Sequence, residues 1–88
     1  MDEREALIFA AQIGADIPEV DLHSILPDQA LEVVEHFVYQ SYQEKKKMGR
    51  VIYGGGTGRL GETVRDYLKK HPLVQEVVEE SASCLVLL

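Results

Sequence analysis

The feature that most constrains this chain is a cluster of glycines between a strand-like segment and a helix-like segment. The stretch 50–61 reads RVIYGGGTGRLG. Its β-branched residues Val51 and Ile52 favour an extended strand over 50–53, and the apolar spacing that follows predicts a helix over roughly 59–71. A glycine loop between a strand and a helix exposes backbone N–H groups beside the positive end of the helix dipole. Both features favour a bound anion.

Phosphate is the anion that we expect at this loop. Thr57 adds a hydroxyl and Arg59 a guanidinium, which is well suited to gripping a phosphate. The predicted phosphate or nucleic-acid contacts of the loop are Gly54, Gly55, Gly56, Thr57, Gly58 and Arg59. The alternative is a tight strand-to-helix connection that needs glycine only for its backbone angles.

Nucleotide-binding motifs fit the loop less well than a nucleic-acid backbone does. Residues 56–61, GTGRLG, have the form G-x-G-x-x-G of dinucleotide-binding proteins. That fold needs two mononucleotide-binding halves, however, and 88 residues cannot supply them. A P-loop would need a Lys-Ser or Lys-Thr pair after the glycines, and none follows. We therefore prefer a backbone phosphate of DNA or RNA, and binding of a small nucleotide is the least favoured alternative.

The distribution of charge supports that preference, although the net charge opposes it. A net charge of −6 and an isoelectric point of about 4.9 argue against a polyanionic partner. Residues 1–44, however, carry −9, residues 45–70 carry +6 and residues 71–88 carry −3. Association with a polyanion depends on the local patch, so the middle segment adds predicted nucleic-acid contacts at Lys45, Lys46, Lys47 and Arg50. The alternative is that the lysines only end a solvated helix.

The order of the predicted elements defines the fold class. Helices are predicted over 2–13, from Pro27 to about Lys47 with Gly49 as a stop, and over 59–71, and strands over 20–23, 50–53, 74–80 and 84–88. Strands that alternate with helices pair in parallel through right-handed crossovers, and the closing hairpin adds an antiparallel edge. We predict an α/β two-layer sandwich of order βαβαββ around a four-stranded mixed sheet, preceded by an extra N-terminal helix.

A second candidate site follows the first predicted strand. Asp21 and His23 share one face of that strand, so the carboxylate could orient the imidazole as a general base or phosphate ligand. The carboxyl ends of parallel strands meet at one edge of a sheet, which places His23 beside the glycine loop. The alternative is that both side chains satisfy nearby backbone groups or cap the helix that begins at Pro27.

Several other classes of protein and site are disfavoured. The length suits one domain, and no apolar run approaches the length of a membrane span. The acidic N-terminus is unlike a signal peptide, and the single Cys84, expected in the core, suits a reducing cytoplasm.

His36 is expected on the solvent face of its helix and His71 at a helix end. No spacing of Cys and His suits zinc, so we expect no required cofactor, with a divalent metal ion left open.

The segments 20–24 (VDLHS), 51–60 (VIYGGGTGRL) and 64–72 (VRDYLKKHP), in this order, resemble the Smr (small MutS-related) domain family over about residues 19–88. The resemblance implies a βαβαββ sandwich like the C-terminal domain of translation initiation factor three. It also implies binding to DNA or RNA, with nicking or cleavage by several members, in DNA repair or RNA quality control. Some members act on ribosome-bound messages. Residues 1–18 lie outside the resemblance and are predicted to form a docking or capping extension.

The resemblance assigns roles to particular residues. The family's D-L-H-G motif falls on 21–24, with Ser24 in place of the glycine, and its H-G-x-G-T-G motif falls on 53–58. The implied catalytic residues are Asp21, which would orient His23, His23 itself, and Tyr53, which replaces the second motif's histidine. Tyrosine cannot act as a base near neutral pH but can donate a hydrogen bond or stack on a base.

Gly55 replaces an often basic residue of the second motif. The leading hypothesis is therefore a nucleic-acid-binding domain with endonuclease activity, which these replacements would reduce. The alternative is a non-catalytic adaptor that binds RNA, the ribosome or a protein partner.

Overall fold

A computed structural model describes residues 2–55 and 58–88 of the chain. Its elements are α1 (Glu3–Gln12), β1 (Glu19–Asp21), α2 (Pro27–Gln43), β2 (Met48–Ile52), α3 (Arg59–Lys69), β3 (Glu76–Glu79) and β4 (Ser83–Leu87). The predicted α/β class, the order βαβαββ and the extra N-terminal helix are confirmed. In these residues, no helix has the length and the apolar character needed to cross a membrane.

The four strands form one mixed sheet in the order β1-β2-β4-β3. β1 and β2 pair in parallel, whereas β4 runs antiparallel to both of its neighbours, β2 and β3. The predicted antiparallel edge is confirmed, because the closing β3–β4 hairpin is antiparallel and β3 is an edge strand, while β4 lies inside the sheet. All five residues of β4 are buried. Its apolar run is typical of a strand that is covered on both faces.

Helices cover both faces of the sheet. On one face, α2 and α3 pack on β2 and β4, and the core there includes Leu22, Val34, Val38, Val51, Val64, Leu68, Cys84 and Val86. On the other face, α1 packs Ala11 against Met48, Leu85 and Leu87. The Arg4 guanidinium also pairs with the Glu76 carboxylate of β3. The N-terminal helix is thus a cover for the second face of the sheet.

The end of α2 differs from the prediction. The helix ends at Gln43 rather than at Lys47. The reason is that Lys45 adopts a left-handed backbone, with φ of 62°. Its N–H donates a hydrogen bond of 3.0 Å to the Tyr42 carbonyl, which closes the helix. Gly49 is not the stop residue but lies within β2. A Cβ at Gly49 would lie 2.8 Å from the Phe37 ring. This glycine is therefore needed for the close approach of α2 to the strand.

Candidate functional site

The carboxyl ends of β1 and β2 bring the two predicted motifs to the same edge of the sheet. Asp21 is the last residue of β1. The next residue, Leu22, is fully buried, and its N–H donates to the Ile52 carbonyl at 2.7 Å. Because side chains alternate along an extended chain, burial of Leu22 turns Asp21 and His23 outward, and both are exposed.

Asp21 and His23 form a dyad. Asp21 Oδ1 accepts a hydrogen bond from the His23 backbone N–H at 3.0 Å and lies 2.6 Å from His23 Nδ1. The hydrogen bond from the His23 side chain, followed by the one from its backbone, lowers the pKa of Asp21. A carboxylate can only accept, so Nδ1 carries the proton and Nε2 is the basic nitrogen. The imidazole is 65% exposed, so this nitrogen can reach a substrate.

The glycine loop begins next to the dyad. Gly54 has φ of +83°, and a Cβ added to it would lie 3.5 Å from His23 Cβ. Gly58, with φ of +81°, is the N-cap of α3 and provides no side-chain cap. Gly55 is exposed, and a Cβ there would meet nothing within 4 Å. The predicted contacts Gly56 and Thr57 lie outside the described residues.

The first turn of α3 carries charges of both signs. Arg59 is the first residue of the helix and is exposed, and Glu62 is exposed in the same turn. The helix dipole favours an anion at this end, and Arg59 adds to that attraction, whereas Glu62 opposes it. The loop end of α3 can therefore hold one phosphate but is not a strongly positive surface.

Tyr53 lies inside the protein rather than in the site. Its side chain is only 7% exposed, and its hydroxyl donates to the Ser83 carbonyl at 2.8 Å. The hydroxyl also accepts from Arg65 Nη1 at 3.0 Å. Burial raises the pKa of Tyr53. The predicted roles for Tyr53, hydrogen bonding to a substrate or stacking on a base, do not fit this placement, because both its ring and its hydroxyl are occupied.

Arg65 contacts Tyr53. The sequence did not indicate this contact, because helical spacing placed Arg65 on the outer face of α3. Its guanidinium lies 5.5 Å from the centroid of the Tyr53 ring, and its Nε pairs with Glu79 at 2.7 Å. The ring itself fits beneath Gly61, where an added Cβ would lie 2.7 Å from Tyr53 Cε1. A glycine on the inner face of a helix, after a strand that ends in an aromatic residue, is the signal that could have indicated this packing.

The basic residues of the middle segment do not gather at the glycine loop. Lys45, Lys46 and Lys47 precede β2, whereas the loop follows its other end, and Lys47 Nζ pairs with Glu3 at 2.7 Å. Arg50 bridges Glu80 at 2.9 Å and Glu19 at 2.8 Å, and these two hydrogen bonds raise its pKa. Arg50 therefore binds carboxylates on the α1 face of the sheet and is not placed to contact a phosphate at the loop.

The remaining histidines lie on the helix layer, away from this edge. His36 is exposed on α2 as expected. His71 is buried: its Nε2 lies 2.7 Å from Glu35 Oε2, and its Nδ1 accepts from the Leu73 N–H at 3.1 Å. It therefore ties α3 to α2. Within the part of the chain that the structure describes, no group of three or more His, Cys, Asp or Glu side chains could hold a metal ion.

Comparison with known proteins agrees with this architecture. The family model described as Smr domain matches residues 20–83. The chain is 32% identical over 56 residues to endonuclease MutS2 of Caldicellulosiruptor saccharolyticus, a match that covers 64% of the chain and 7% of that protein. It is 29% identical over 73 residues to endonuclease MutS2 of Clostridium perfringens, covering 83% of the chain and 9% of that protein. The chain thus spans less than a tenth of the length of these relatives.

A solved structure shares the fold. The crystal structure of the Smr domain of Thermus thermophilus MutS2 superimposes with a TM-score of 0.76 at 23% sequence identity, covering 81% of this chain and 96% of that one. The family match includes the Asp21–His23 dyad and the glycine loop, which the fold brings to one edge of the sheet. The chain belongs to the Smr domain family.

Proposed function

We propose that this Smr-family chain binds DNA or RNA through the edge formed by the dyad and the glycine loop, and cleaves the phosphodiester backbone with reduced efficiency. The observation that carries the proposal is the exposed imidazole of His23, oriented at 2.6 Å by Asp21 beside the start of the loop. The relatives that share this region are endonucleases by name.

His23 is the group that would move a proton. Its Nε2 takes a proton from water, or from a ribose 2′-hydroxyl in RNA, as the oxygen of that group attacks phosphorus. A new P–O bond forms, and the ester P–O bond to the leaving oxygen breaks, with that oxygen taking a proton from solvent. The Asp21 carboxylate stabilises the imidazolium that results, as the buried acid of a Ser-His-Asp triad does.

The start of α3 would hold the phosphate under attack. Backbone N–H groups of the first turn and the guanidinium of Arg59 are suited to its non-bridging oxygens. The proposed reaction requires no cofactor, since an imidazole and hydrogen-bond donors supply both the base and the charge stabilisation. Because position 53 is a tyrosine rather than a histidine, and is buried, it supplies no second base on the side of β2.

The charge placement predicts weak binding. Lys47, Arg50 and Arg65 are paired with carboxylates, and Glu62 lies beside the loop. Each phosphate contact contributes about −0.9 to the slope of log K against log salt on duplex DNA. We therefore expect a slope of roughly −1 to −2, in contrast to the steep dependence of a protein with a continuous basic surface.

The test compares His23→Ala and Asp21→Asn with the wild-type chain on a supercoiled plasmid and on a structured RNA. Asp66→Asn is the matched control, because Asp66 is an exposed carboxylate on the outer side of α3. We expect His23→Ala to lower the cleavage rate by about 10²-fold or more, Asp21→Asn to lower it less, and Asp66→Asn to leave it unchanged. Equal cleavage by the wild type and His23→Ala would contradict the proposal.

The second candidate function is a non-catalytic adaptor that binds nucleic acid. The observation in its favour is that Tyr53 replaces the family's second histidine. Its hydroxyl is hydrogen-bonded to the Ser83 carbonyl and to Arg65. This alternative predicts that DNA or RNA binds with the salt dependence given above, while neither substrate is cut with or without divalent metal ions. A flat salt dependence would exclude both functions.

A further inference from the structure

A groove between α2 and α3 lies on the helix layer and is lined by neither residue of the dyad. Its volume is about 620 Å³, within the range of sites that hold small ligands or a few side chains. It is lined by Leu31, Glu32, Glu35, His36, Tyr39 and Tyr67. The proposed nucleic-acid function makes no use of this groove.

The groove combines carboxylates with aromatic rings. Glu32, Glu35 and Tyr39 are three and four residues apart on α2, so they form one stripe along the helix. Tyr39 is 53% exposed, and its hydroxyl is held by Gln43 Nε2 at 2.8 Å. Glu32 is exposed and makes no ion pair among the described residues. Glu35 is one helical turn from the exposed Tyr39 ring, and Glu32 adds a second carboxylate one turn before Glu35.

Hydrogen bonds from Tyr67 of α3 and from His71 hold Glu35 in place. Glu35 Oε2 accepts hydrogen bonds from the Tyr67 hydroxyl and from His71 Nε2, and among the described residues no bond to the second carboxylate oxygen, Oε1, is seen. Burial, together with the Glu35 carboxylate, raises the pKa of Tyr67 to about 12, so its ring stays neutral. A fixed carboxylate between two phenol rings attracts a cation through charge and through the faces of the rings.

The charged side chains that line the groove from α2 are the carboxylates Glu32 and Glu35, and His36 lies between them and Tyr39. α2 carries the acidic residues Asp28, Glu32 and Glu35 and no lysine or arginine. Lys70 does not line the groove but lines the adjoining cleft, which shares Glu35 and Tyr67 with it. Phosphates would be repelled here, whereas a cationic side chain meets two carboxylates and a ring face. Charge complementarity thus selects a basic protein segment over nucleic acid.

We propose that the groove between α2 and α3 docks a basic segment of a partner protein by taking an arginine side chain between Glu32, Glu35 and the Tyr39 ring. The planar guanidinium donates to the carboxylates and stacks on the ring, a combination that a lysine ammonium reproduces less well. The chain would then bind nucleic acid at one edge of its sheet and a protein on its helix layer.

The experiment uses the whole chain and a labelled nonapeptide with three arginines separated by glycine and serine. Fluorescence anisotropy measures the affinity, and amide NMR spectra locate the site. Matched peptides carry lysine or the neutral isostere citrulline. We expect arginine to bind more tightly than lysine and citrulline not to bind, with the amide signals of 31–39 and 67 shifting.

Single substitutions test the two halves of the groove. Tyr39→Ala and Glu32→Gln should each weaken the arginine peptide by about threefold, and the double variant by about tenfold. Both residues are exposed, so folding should be unchanged, which circular dichroism checks. Glu44→Gln is the matched control just after the same helix and outside the groove, and it should change the affinity by less than about 1.5-fold.

Three results would overturn the proposal. The first is equal binding of the arginine and citrulline peptides, and the second is an absence of binding by every peptide. The third is a shift of the groove signals by a single-stranded oligonucleotide but not by the peptide, which would make the groove a base-stacking surface. These outcomes are independent of the dyad, because His23→Ala should leave peptide binding intact even if cleavage is lost.

Discussion

The ends of β1 and β2 lie side by side at one edge of the sheet, but the side chains just beyond them differ in their surroundings. His23, after β1, is exposed, and its side chain pairs with Asp21. Tyr53, after β2, is buried, and its hydroxyl and ring are both occupied by protein groups. The two neighbouring positions therefore differ in role. The His23 side chain is available to a substrate, whereas the Tyr53 side chain stabilises the packing of α3 on the sheet.

The largest expected difference between the two strand ends is in folding stability. Tyr53→Ala removes a buried ring, its hydrogen bond to the Ser83 carbonyl and the one it accepts from Arg65, so the free energy of unfolding should fall by about 3–5 kcal/mol. His23→Ala removes an exposed side chain and should change it by less than about 0.5 kcal/mol. Urea denaturation of both variants measures the difference. Similar losses for the two variants would remove the distinction.

A smaller effect is expected at Gly61, which contacts the Tyr53 ring. A Cβ there would lie 2.7 Å from Tyr53 Cε1 and 2.9 Å from Arg65 Nη1, so Gly61→Ala should lower the free energy of unfolding by about 1–2 kcal/mol, despite alanine's higher helix propensity. Gly55→Ala, with nothing within 4 Å, is the control and should cause no loss.

The coupling between Gly61 and the ring can be measured directly. In a Tyr53→Ala background the space under α3 is empty, so Gly61→Ala should no longer destabilise the protein. A loss of the same size in both backgrounds would show that the ring is not the obstacle.

The smallest expected effect compares two carboxylates at acid pH: Asp21, at the end of β1, and Glu80, which follows β3 and pairs with Arg50 of β2. Burial raises the pKa of Glu80, but hydrogen bonds from Arg50 and Ser83 outweigh it and hold the pKa below its ordinary value of 4.5. A lowered folded-state pKa gives stability that is present above pH about 4.5 and lost as the pH falls through the folded value.

Glu80→Gln should therefore reduce the loss of stability between pH 5 and pH 3 by about 1 kcal/mol. Asp21→Asn should reduce it less, because the lowered pKa of Asp21 arises at an exposed site. Thermal unfolding at a series of pH values provides the measurement. A larger effect for Asp21→Asn would show that the exposed Asp21, rather than the partly buried Glu80, controls acid stability.

The sequence predicted local features better than long-range ones. The β-branched run of β2 and the helical spacing of α3 indicated both elements and placed the glycine loop between them. The pairing of Asp21 with His23 followed from their spacing on a strand. The central place of β4 and the ion pairs of Arg50 were not predicted, because they depend on which strands become neighbours in the folded sheet.

Helix boundaries and outer faces were also only partly predictable. Spacing along α3 assigned Arg65 to solvent, whereas its long side chain folds back over Tyr53. The lysines after α2 look like a helix end by charge, but the left-handed backbone of Lys45 ends the helix first. Side chains that reach across elements, and residues that adopt left-handed angles without being glycine, are set by tertiary contacts.

The position of β4 has a consequence for how the domain assembles. β4 is the last of the four strands in chain order, yet it is the strand that joins β2 to β3. A chain that lacks residues 83–87 retains only the β1·β2 pairing. Completion of the sheet therefore depends on contacts between residues far apart in sequence, which slow folding, so the sheet should form in one late cooperative step.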